Sequence, residues 1–199
     1  MAAALRSEPD FATARRAMID SQLRTSGVNE PWVLARMNAV PREDFVPAEA
    51  RPVAYIDRAV PLGGSAMLAA PLFHARLLAE AKPVQSDRVL VVDGGSGYLP
   101  ALIEGLAGSV TVVTPDDAMK GGKKGDYTLL LIDGAVEQLP EGIAKRLSED
   151  ARVVTGLIDN GVTRLAIGRK SGGTIALLPL AELGIPRLAA FDKPKAWSF

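Results

Sequence analysis

Arg88-Val-Leu-Val-Val-Asp-Gly-Gly-Ser-Gly-Tyr98 is the stretch on which the fold turns. Val89 to Val92 form an unbroken apolar run, the pattern of a parallel strand covered on both faces. The glycines that follow let the backbone turn sharply and pass close to a ligand. A helix opening there aims its free N–H groups at that ligand. Strand, glycine-rich turn and helix in this order form the usual entry to a nucleotide-type cofactor site. Asp93 departs from the pattern. It holds the first turn position, where such loops usually carry glycine, and no carboxylate precedes it on the strand.

On the C-terminal side, the spacing predicts a helix over Ser96 to Leu106 and a β-branched strand over Val110 to Thr114. A further strand is expected over Tyr127 to Ile132 and a helix over Val136 to Leu147. Strands over Ala151 to Gly156, Thr163 to Arg169 and Thr174 to Leu180 complete the pattern, the last two joined by the hairpin signal Lys170-Ser-Gly-Gly173. Gly184 to Phe199 reads as an irregular tail, with Trp197-Ser-Phe199 either an interaction tail or folded back.

On the N-terminal side, helical spacing over Phe11 to Leu23 ends at Ser26-Gly27, and Pro31 opens a short helix to Asn38. Pro41, Pro47 and Pro52 impose an extended, turn-rich segment through Asp57. A third helix is expected over Pro71 to Ala81. The whole is an α/β protein with a mostly parallel, Rossmann-like sheet and an antiparallel C-terminal strand. Residues 1–75 form a helical extension and residues 76–199 the sheet domain, packed as one unit.

Composition narrows the chemistry. Lysine plus arginine and aspartate plus glutamate number 23 each, so no excess positive charge is present to bind nucleic acid by counterion release. Cysteine is absent, which excludes disulfides, thiolate catalysis and cysteine-based metal sites. His74 is the only histidine, so no multi-histidine metal centre is expected. No run of about 18 apolar residues exists to span a membrane. The first ten residues carry Glu8 and Asp10 rather than a signal-type apolar core. A cytoplasmic protein is the expectation.

Four motifs resemble those of the protein-L-isoaspartate O-methyltransferases. Asp20-Ser-Gln-Leu-Arg-Thr-Ser-Gly-Val28 fits the family's D-S-Q-L-R-x-x-G-V, and Val40-Pro-Arg-Glu-Asp-Phe-Val-Pro47 fits V-P-R-E-x-F-V-P. Tyr55-Ile-Asp57 fits Y-x-D, and Gly95-Ser-Gly-Tyr98 fits the second half of G-x-G-S-G-Y. Similarity resumes at Asp126-Tyr127 and Leu139-Pro140. The resemblance implies a methyltransferase sheet with a helical N-terminal extension. It also implies transfer of methyl from S-adenosylmethionine to the misplaced carboxyl of an isoaspartyl residue in a protein or peptide, by positioning and without a metal.

The chain leaves the family pattern where that chemistry resides. The family's G-x-G-Q-T-I-S-x-P becomes Gly63-Gly-Ser-Ala-Met-Leu-Ala-Ala-Pro71. Met67 and Ala69 stand at the hydroxyl positions and Ala66 at the glutamine, with Ser65 two residues too early. Methionine and alanine cannot donate hydrogen bonds to a carboxylate, and the segment reads as packed apolar backbone. Val91 stands at the strand carboxylate and Asp93 at the first turn glycine. Asp93 either replaces the lost carboxylate or hydrogen-bonds the turn itself. The second strand ends in Thr114 rather than the acid that pairs with ribose. Asp116 and Asp117 either substitute for it or cap and solvate a loop. Pro115 to Asp126 replaces a helix, a strand and the family's G-D-G loop, and about a dozen residues reach at most roughly 40 Å, too little for a βαβ unit.

The cofactor positions carried over are thus Asp93, Gly94, Gly95, Ser96, Gly97 and Thr114, as a vestigial set, with no catalytic residue assigned. Asp20, Arg24, Arg42, Tyr55 and Asp57 are expected to hold the N-terminal cap on the sheet through buried polar contacts. Three functions remain open. One is a non-catalytic relative serving a protein partner. Another is an active carboxyl methyltransferase with a rearranged site. The third is a binding module for isoaspartyl or other peptides that ignores the cofactor.

Overall fold

The computed structural model describes residues 10–194 except Gly121. The reading of Trp197-Ser-Phe199, and of the first nine residues, lies outside them. The described chain begins with α1 (Phe11–Met18), which runs on as a π-helical turn over Ile19–Leu23. The Asp10 carboxylate caps it by accepting from the Thr13 amide. Next come α2 (Pro31–Ala39), the strands β1 (Val60–Gly63) and β2 (Ala66–Leu68), and α3 (Pro71–Ala81). The sheet domain follows as β3 (Arg88–Val92), α4 (Tyr98–Ile103), β4 (Ser109–Val113), α5 (Pro115–Met119), β5 (Tyr127–Val136) and α6 (Glu141–Arg146). It closes with β6 (Leu147–Asp159), β7 (Val162–Ser171) and β8 (Thr174–Glu182).

Six strands form one sheet in the order β4-β3-β5-β6-β7-β8. β4, β3, β5 and β6 are parallel, and β7 and β8 each pair antiparallel with the strand before. The sheet is therefore mostly parallel with an antiparallel C-terminal pair, as the sequence predicts. From β3 the chain steps outward to β4 and then crosses to β5 on the other side. The carboxyl ends of β3 and β5 thus border the crevice where open α/β sheets bind ligands.

The apolar run in β3 divides by pleat. Val89 and Val91 join Leu129 and Leu131 on one face, beneath α3 and the N-terminal helices, whose Met18, Leu23, Met37, Phe73 and Leu77 are all buried there. Leu90 and Val92 join Leu130 and Ile132 on the other face. That second face is covered by Ala118 of α5, Ile143 of α6, and Leu188 and Phe191 of the C-terminal segment. Covering by a C-terminal segment is what two-sided apolar strands require once the crossover between β4 and β5 is short.

Several expectations are corrected. The proline-rich stretch before Asp57 is not simply extended: 3₁₀ turns form over Arg42–Phe45 and Ala48–Val53, each started by a preceding proline. The segment before Pro71 is a hairpin rather than plain packed backbone, because Gly63 and Gly64 take positive φ at its turn. The helix expected over Ser96 to Leu106 spans only Tyr98–Ile103; left-handed Gly97 delays its start and Gly105 ends the turn after it. The helix expected over Val136 to Leu147 begins only at Glu141, since β5 bends at Gly134 and continues to Val136. The crossover from Thr114 to Asp126 carries the short helix α5, and no strand lies there among the described residues.

Phe191 is fully buried in the second-face core. Phe191→Ala is expected to lower unfolding free energy by about 3–5 kcal/mol, measured by urea denaturation, because it leaves a cavity in a cover with few side chains. A change below about 1 kcal/mol would show that the segment does not help close that face.

Candidate functional site

The glycine turn is built around the Asp93 carboxylate. Its amide donates to Val113 O at 3.0 Å, which ties it to β4. Its side chain turns back on the loop, accepting from the Gly95 amide at 3.2 Å and the Gly97 amide at 3.0 Å. Two of the N–H groups that such a turn would offer a ligand, those of Gly95 and Gly97, are thereby engaged. Burial, and next the neighbouring Asp133 carboxylate, push the Asp93 carboxyl above its ordinary range, against the downward pull of the two glycine amides. Of the two roles open to Asp93, this geometry is the turn-bonding one.

Asp133 follows the apolar run of β5 and is almost wholly buried. One carboxylate oxygen meets His74 Nε2 at 2.8 Å, and the other accepts from Ser96 Oγ at 3.1 Å. His74 Nδ1 lies 3.3 Å from the Arg42 guanidinium. A guanidinium can only donate, so Nδ1 accepts and the Nε2 hydrogen points at Asp133. Arg42 is itself fully buried, donating to Ala54 O at 2.9 Å and Ala69 O at 2.7 Å, with its guanidinium 4.8 Å above the Tyr98 ring. Burial pulls the Arg42 guanidinium below its ordinary range, opposed by Tyr98 and Asp133. Burial raises Tyr98 to about 12.

A chain of polar groups therefore runs Arg42–His74–Asp133–Ser96, from the N-terminal cap to the glycine turn. Neither His74 nor Asp133 is a functional candidate in the sequence-based reading. The sequence signals were a histidine inside an otherwise apolar helix and an aspartate ending an apolar strand.

Tyr55 ties the N-terminal residues to one another. Its hydroxyl accepts from Arg15 Nε at 2.7 Å and the Arg42 amide at 3.2 Å, and donates to Glu43. Desolvation raises its pKa to about 12, as does the bond to Glu43. Arg15 completes the set with an ion pair to Glu43 at 2.8 Å. Arg42 thus reaches the sheet domain through the Tyr98 ring, whereas the Tyr55 hydroxyl is buried in contacts within the N-terminal residues and does not itself tie them to the sheet. Asp20 and Arg24 make no buried contact: they form an exposed i,i+4 pair at 3.3 Å on one turn of the first helix. Asp57 is exposed too, on the rim of a separate cleft. The one-face periodicity of that helix turns both Asp20 and Arg24 to solvent.

The positions expected to face an acceptor carboxylate are split. Ser65 and Ala66 border a cavity of about 560 Å³ over the glycine turn, together with Asp93, Gly94, Gly95, Thr114 and Asp116. Met67 faces a second cleft of about 590 Å³ with Arg58, Phe73 and Thr163. Ala69 is buried, its carbonyl held by Arg42. Thr114 caps α5: its hydroxyl accepts from the Asp117 amide at 3.2 Å and donates to the Asp117 carboxylate at 3.1 Å. Asp117 also pairs with Lys120 at 2.9 Å. Asp116 alone of the acids after β4 borders the cavity, and it is exposed. Among the described residues no three His, Asp or Glu side chains gather as a metal site would.

The C-terminal segment supplies the remaining wall. Ala135 donates to Pro186 O at 2.7 Å, and the Leu188 amide returns a bond to Ala135 O at 2.9 Å. The Leu188 side chain lies on Gly134, where an added Cβ would meet its Cγ at 2.5 Å, and against Gly94 of the turn. Sequence reasoning missed this wall, because an irregular tail carries no periodicity to place it.

The Asp93 geometry fixes a pH dependence. A folded carboxyl held above its ordinary value of 3.8 keeps a proton that the unfolded chain releases, so its cost to stability appears as pH rises from below 3.8 through the raised value. Asp93→Asn keeps an acceptor oxygen for the two amides and removes the charge. Its stability relative to the parent is expected to rise over that window and then level off, read from urea midpoints across pH 3 to 8. A parent more stable than the variant by a margin growing with pH would contradict the assignment.

Comparison with known proteins agrees with the fold. The model of one protein family, described as "Protein-L-isoaspartate(D-aspartate) O-methyltransferase (PCMT)", matches residues 13–120. A protein-L-isoaspartate O-methyltransferase of Koribacter versatilis (strain Ellin345) is 30% identical over 190 residues, covering 83% of this chain and 86% of the relative. A protein-L-isoaspartate O-methyltransferase 2 of Anaeromyxobacter sp. (strain Fw109-5) is 31% identical over 175 residues, covering 75% and 71%. A crystal structure of a Plasmodium falciparum protein of that description, in complex with S-adenosyl-L-homocysteine, superposes with a TM-score of 0.69 at 16% identity, over 92% of this chain and all of that one. Fold, motif order and these relatives agree, and the chain belongs to the protein-L-isoaspartate O-methyltransferase family.

Proposed function

We propose that this chain is a non-catalytic member of its family, a methyltransferase fold retained for binding a protein partner. The observation that carries the reading is the Asp93 carboxylate seated on the Gly95 and Gly97 amides. A ligand carboxylate at the turn would lose those donors and meet a negative charge instead. Three features point the same way. Thr114 spends its hydroxyl on capping α5, where a ribose needs an acid. Met67 and Ala69 offer no donor to an isoaspartyl carboxyl. The short crossover leaves no loop to form an adenine wall. The residues present do not fit S-adenosylmethionine.

What is retained is the scaffold. Residues 1–75 act as a cap and residues 76–199 as the methyltransferase-type domain, joined by the Arg42–His74–Asp133–Ser96 chain, which needs no substrate to account for it. Fold is kept while site chemistry is lost, the usual way that function and architecture part. Among the described residues no helix is long and apolar enough to cross a membrane, and basic and acidic side chains balance. A protein partner suits this surface better than a nucleic acid does. Cytoplasmic residence belongs to the same proposal.

Isothermal titration with S-adenosylmethionine and S-adenosylhomocysteine tests this reading. No saturable heat is expected up to about 1 mM ligand, an affinity weaker than roughly −4 kcal/mol. No methyl transfer to an isoaspartyl peptide is expected in a parallel assay. Saturable binding followed by transfer would establish the rearranged enzyme instead, with Asp93 or Asp116 serving the cofactor.

A further inference from the structure

β4 is one edge of the six-stranded sheet and pairs only with β3. Two bonds fix which of its backbone groups face that neighbour. The Ser109 amide donates to Asp87 O at 3.3 Å, and Val113 O accepts from the Asp93 amide at 3.0 Å. Backbone groups alternate in direction along a strand, so Ser109, Thr111 and Val113 face β3. Val110 and Val112 therefore turn their N–H and C=O groups outward. Among the described residues those groups bond to no other element, and Val112 is 48% exposed.

The two edges of the sheet differ in how they discourage pairing. β8 carries Pro179, which has no N–H, and its ladder with β7 shifts register between Arg164 and Ala166. Its last residue, Glu182, adds a charge paired with Arg164 at 2.8 Å. β4 has none of these devices. Ala107 to Thr114 contains no charged residue and no proline. The pairs with β3 run without a bulge, and every strand residue after Ser109 is β-branched. An edge this regular and uncharged is a template for another strand.

We propose that β4 pairs antiparallel with β4 of a second copy, about a two-fold axis beside Thr111. The strand's own pattern selects that register, because its two outward residues flank Thr111 symmetrically. Val110 then lies opposite Val112 of the second copy, and each exchanges its N–H and C=O bonds with its opposite. Val110 packs on the first-face core, and Val112 shares that side of the pleat, so both pairs are apolar contacts across the strands. On the other side Thr111 meets Thr111 of the second copy at a closely spaced position, where threonine hydroxyls bond each other. Charge favours the same arrangement. Antiparallel pairing sends the exposed Asp116 and Asp117 of the two copies to opposite ends of the interface, whereas parallel pairing brings these like charges together. A two-fold contact closes on itself, so the product is a dimer and not a fibre. The inference is independent of what the glycine turn binds, since Val110 to Val112 line neither the 560 Å³ cavity nor the 590 Å³ cleft.

Sedimentation equilibrium and cysteine cross-linking of the full chain test the proposal. So short a strand makes an interface at the weak end of specific association. The weight-average mass is therefore expected to rise from one chain towards two between about 10 µM and 1 mM. Val112→Lys places a charge on the exposed edge without touching the β3 ladder, and is expected to weaken the dimer about tenfold or more. Leu178→Lys on β8 is expected to leave it unchanged. The chain has no cysteine of its own, so an introduced thiol reports alone. Oxidised Thr111→Cys is expected to form a covalent dimer, because the two thiols face each other across the axis. Val112→Cys is diagonal to its mate at roughly 7–8 Å between Cα atoms, and is expected to cross-link about fivefold more slowly despite its exposure. A chain still monomeric at 1 mM would overturn the proposal and leave the edge to a strand of another protein. A dimer indifferent to Val112→Lys, or faster cross-linking through Val112→Cys than through Thr111→Cys, would overturn it as well.

Discussion

Two carboxylates, one just past β3 and one within β5 before its bend, constrain everything around them. Asp93 lies on the β3 side of the crevice and Asp133 on the β5 side, and the Asp133 carboxylate raises the cost of charge on Asp93. Buried charge is tolerated only where hydrogen bonds or opposite charge compensate it. Asp133 recruits His74 and Ser96, and His74 in turn requires the donor that Arg42 supplies. Asp93 recruits the amides of its own turn. From these two demands follow the position of the N-terminal cap, the tautomer of the single histidine and the closed state of the glycine turn.

Much of the polar capacity at this site is engaged within the chain. The Gly95 and Gly97 amides, the crevice floor and the carbonyl of Ala69 each have an internal partner. Low local dielectric strengthens every member of such a network while it is complete and penalises any member that is exposed. Family membership does not depend on those groups, because the shared sheet is specified by its apolar strands and not by the groups at their ends.

Much of this architecture is legible in the sequence, for physical reasons that differ by element. The two-faced apolar run at Val89 to Val92 permits only a covered parallel strand, and the helix over Pro71 to Ala81 is set by a first-turn proline and helical spacing. Gly172 and Gly173 take the positive φ values that a tight hairpin needs, so β7 and β8 are placed by their turn. The departures at Met67, Ala69, Asp93 and Thr114 are visible as residue types, because donor capacity can be read without coordinates. What escapes is tertiary. Nothing local tells that His74 faces Asp133, 59 residues away, or that Leu188 lies on Gly134. The outward turn of Asp20 and Arg24 is likewise decided by packing. A matched motif names its residues without saying which of them point inward.

The most direct measurement is a crystal structure grown with S-adenosylhomocysteine at millimolar concentration. The Asp93 oxygens should lie on the Gly95 and Gly97 amides and Leu188 on Gly134, with no ligand at the turn. Ligand density across the carboxyl ends of β3 and β5, with Asp93 rotated off the amides, would contradict the self-satisfied site.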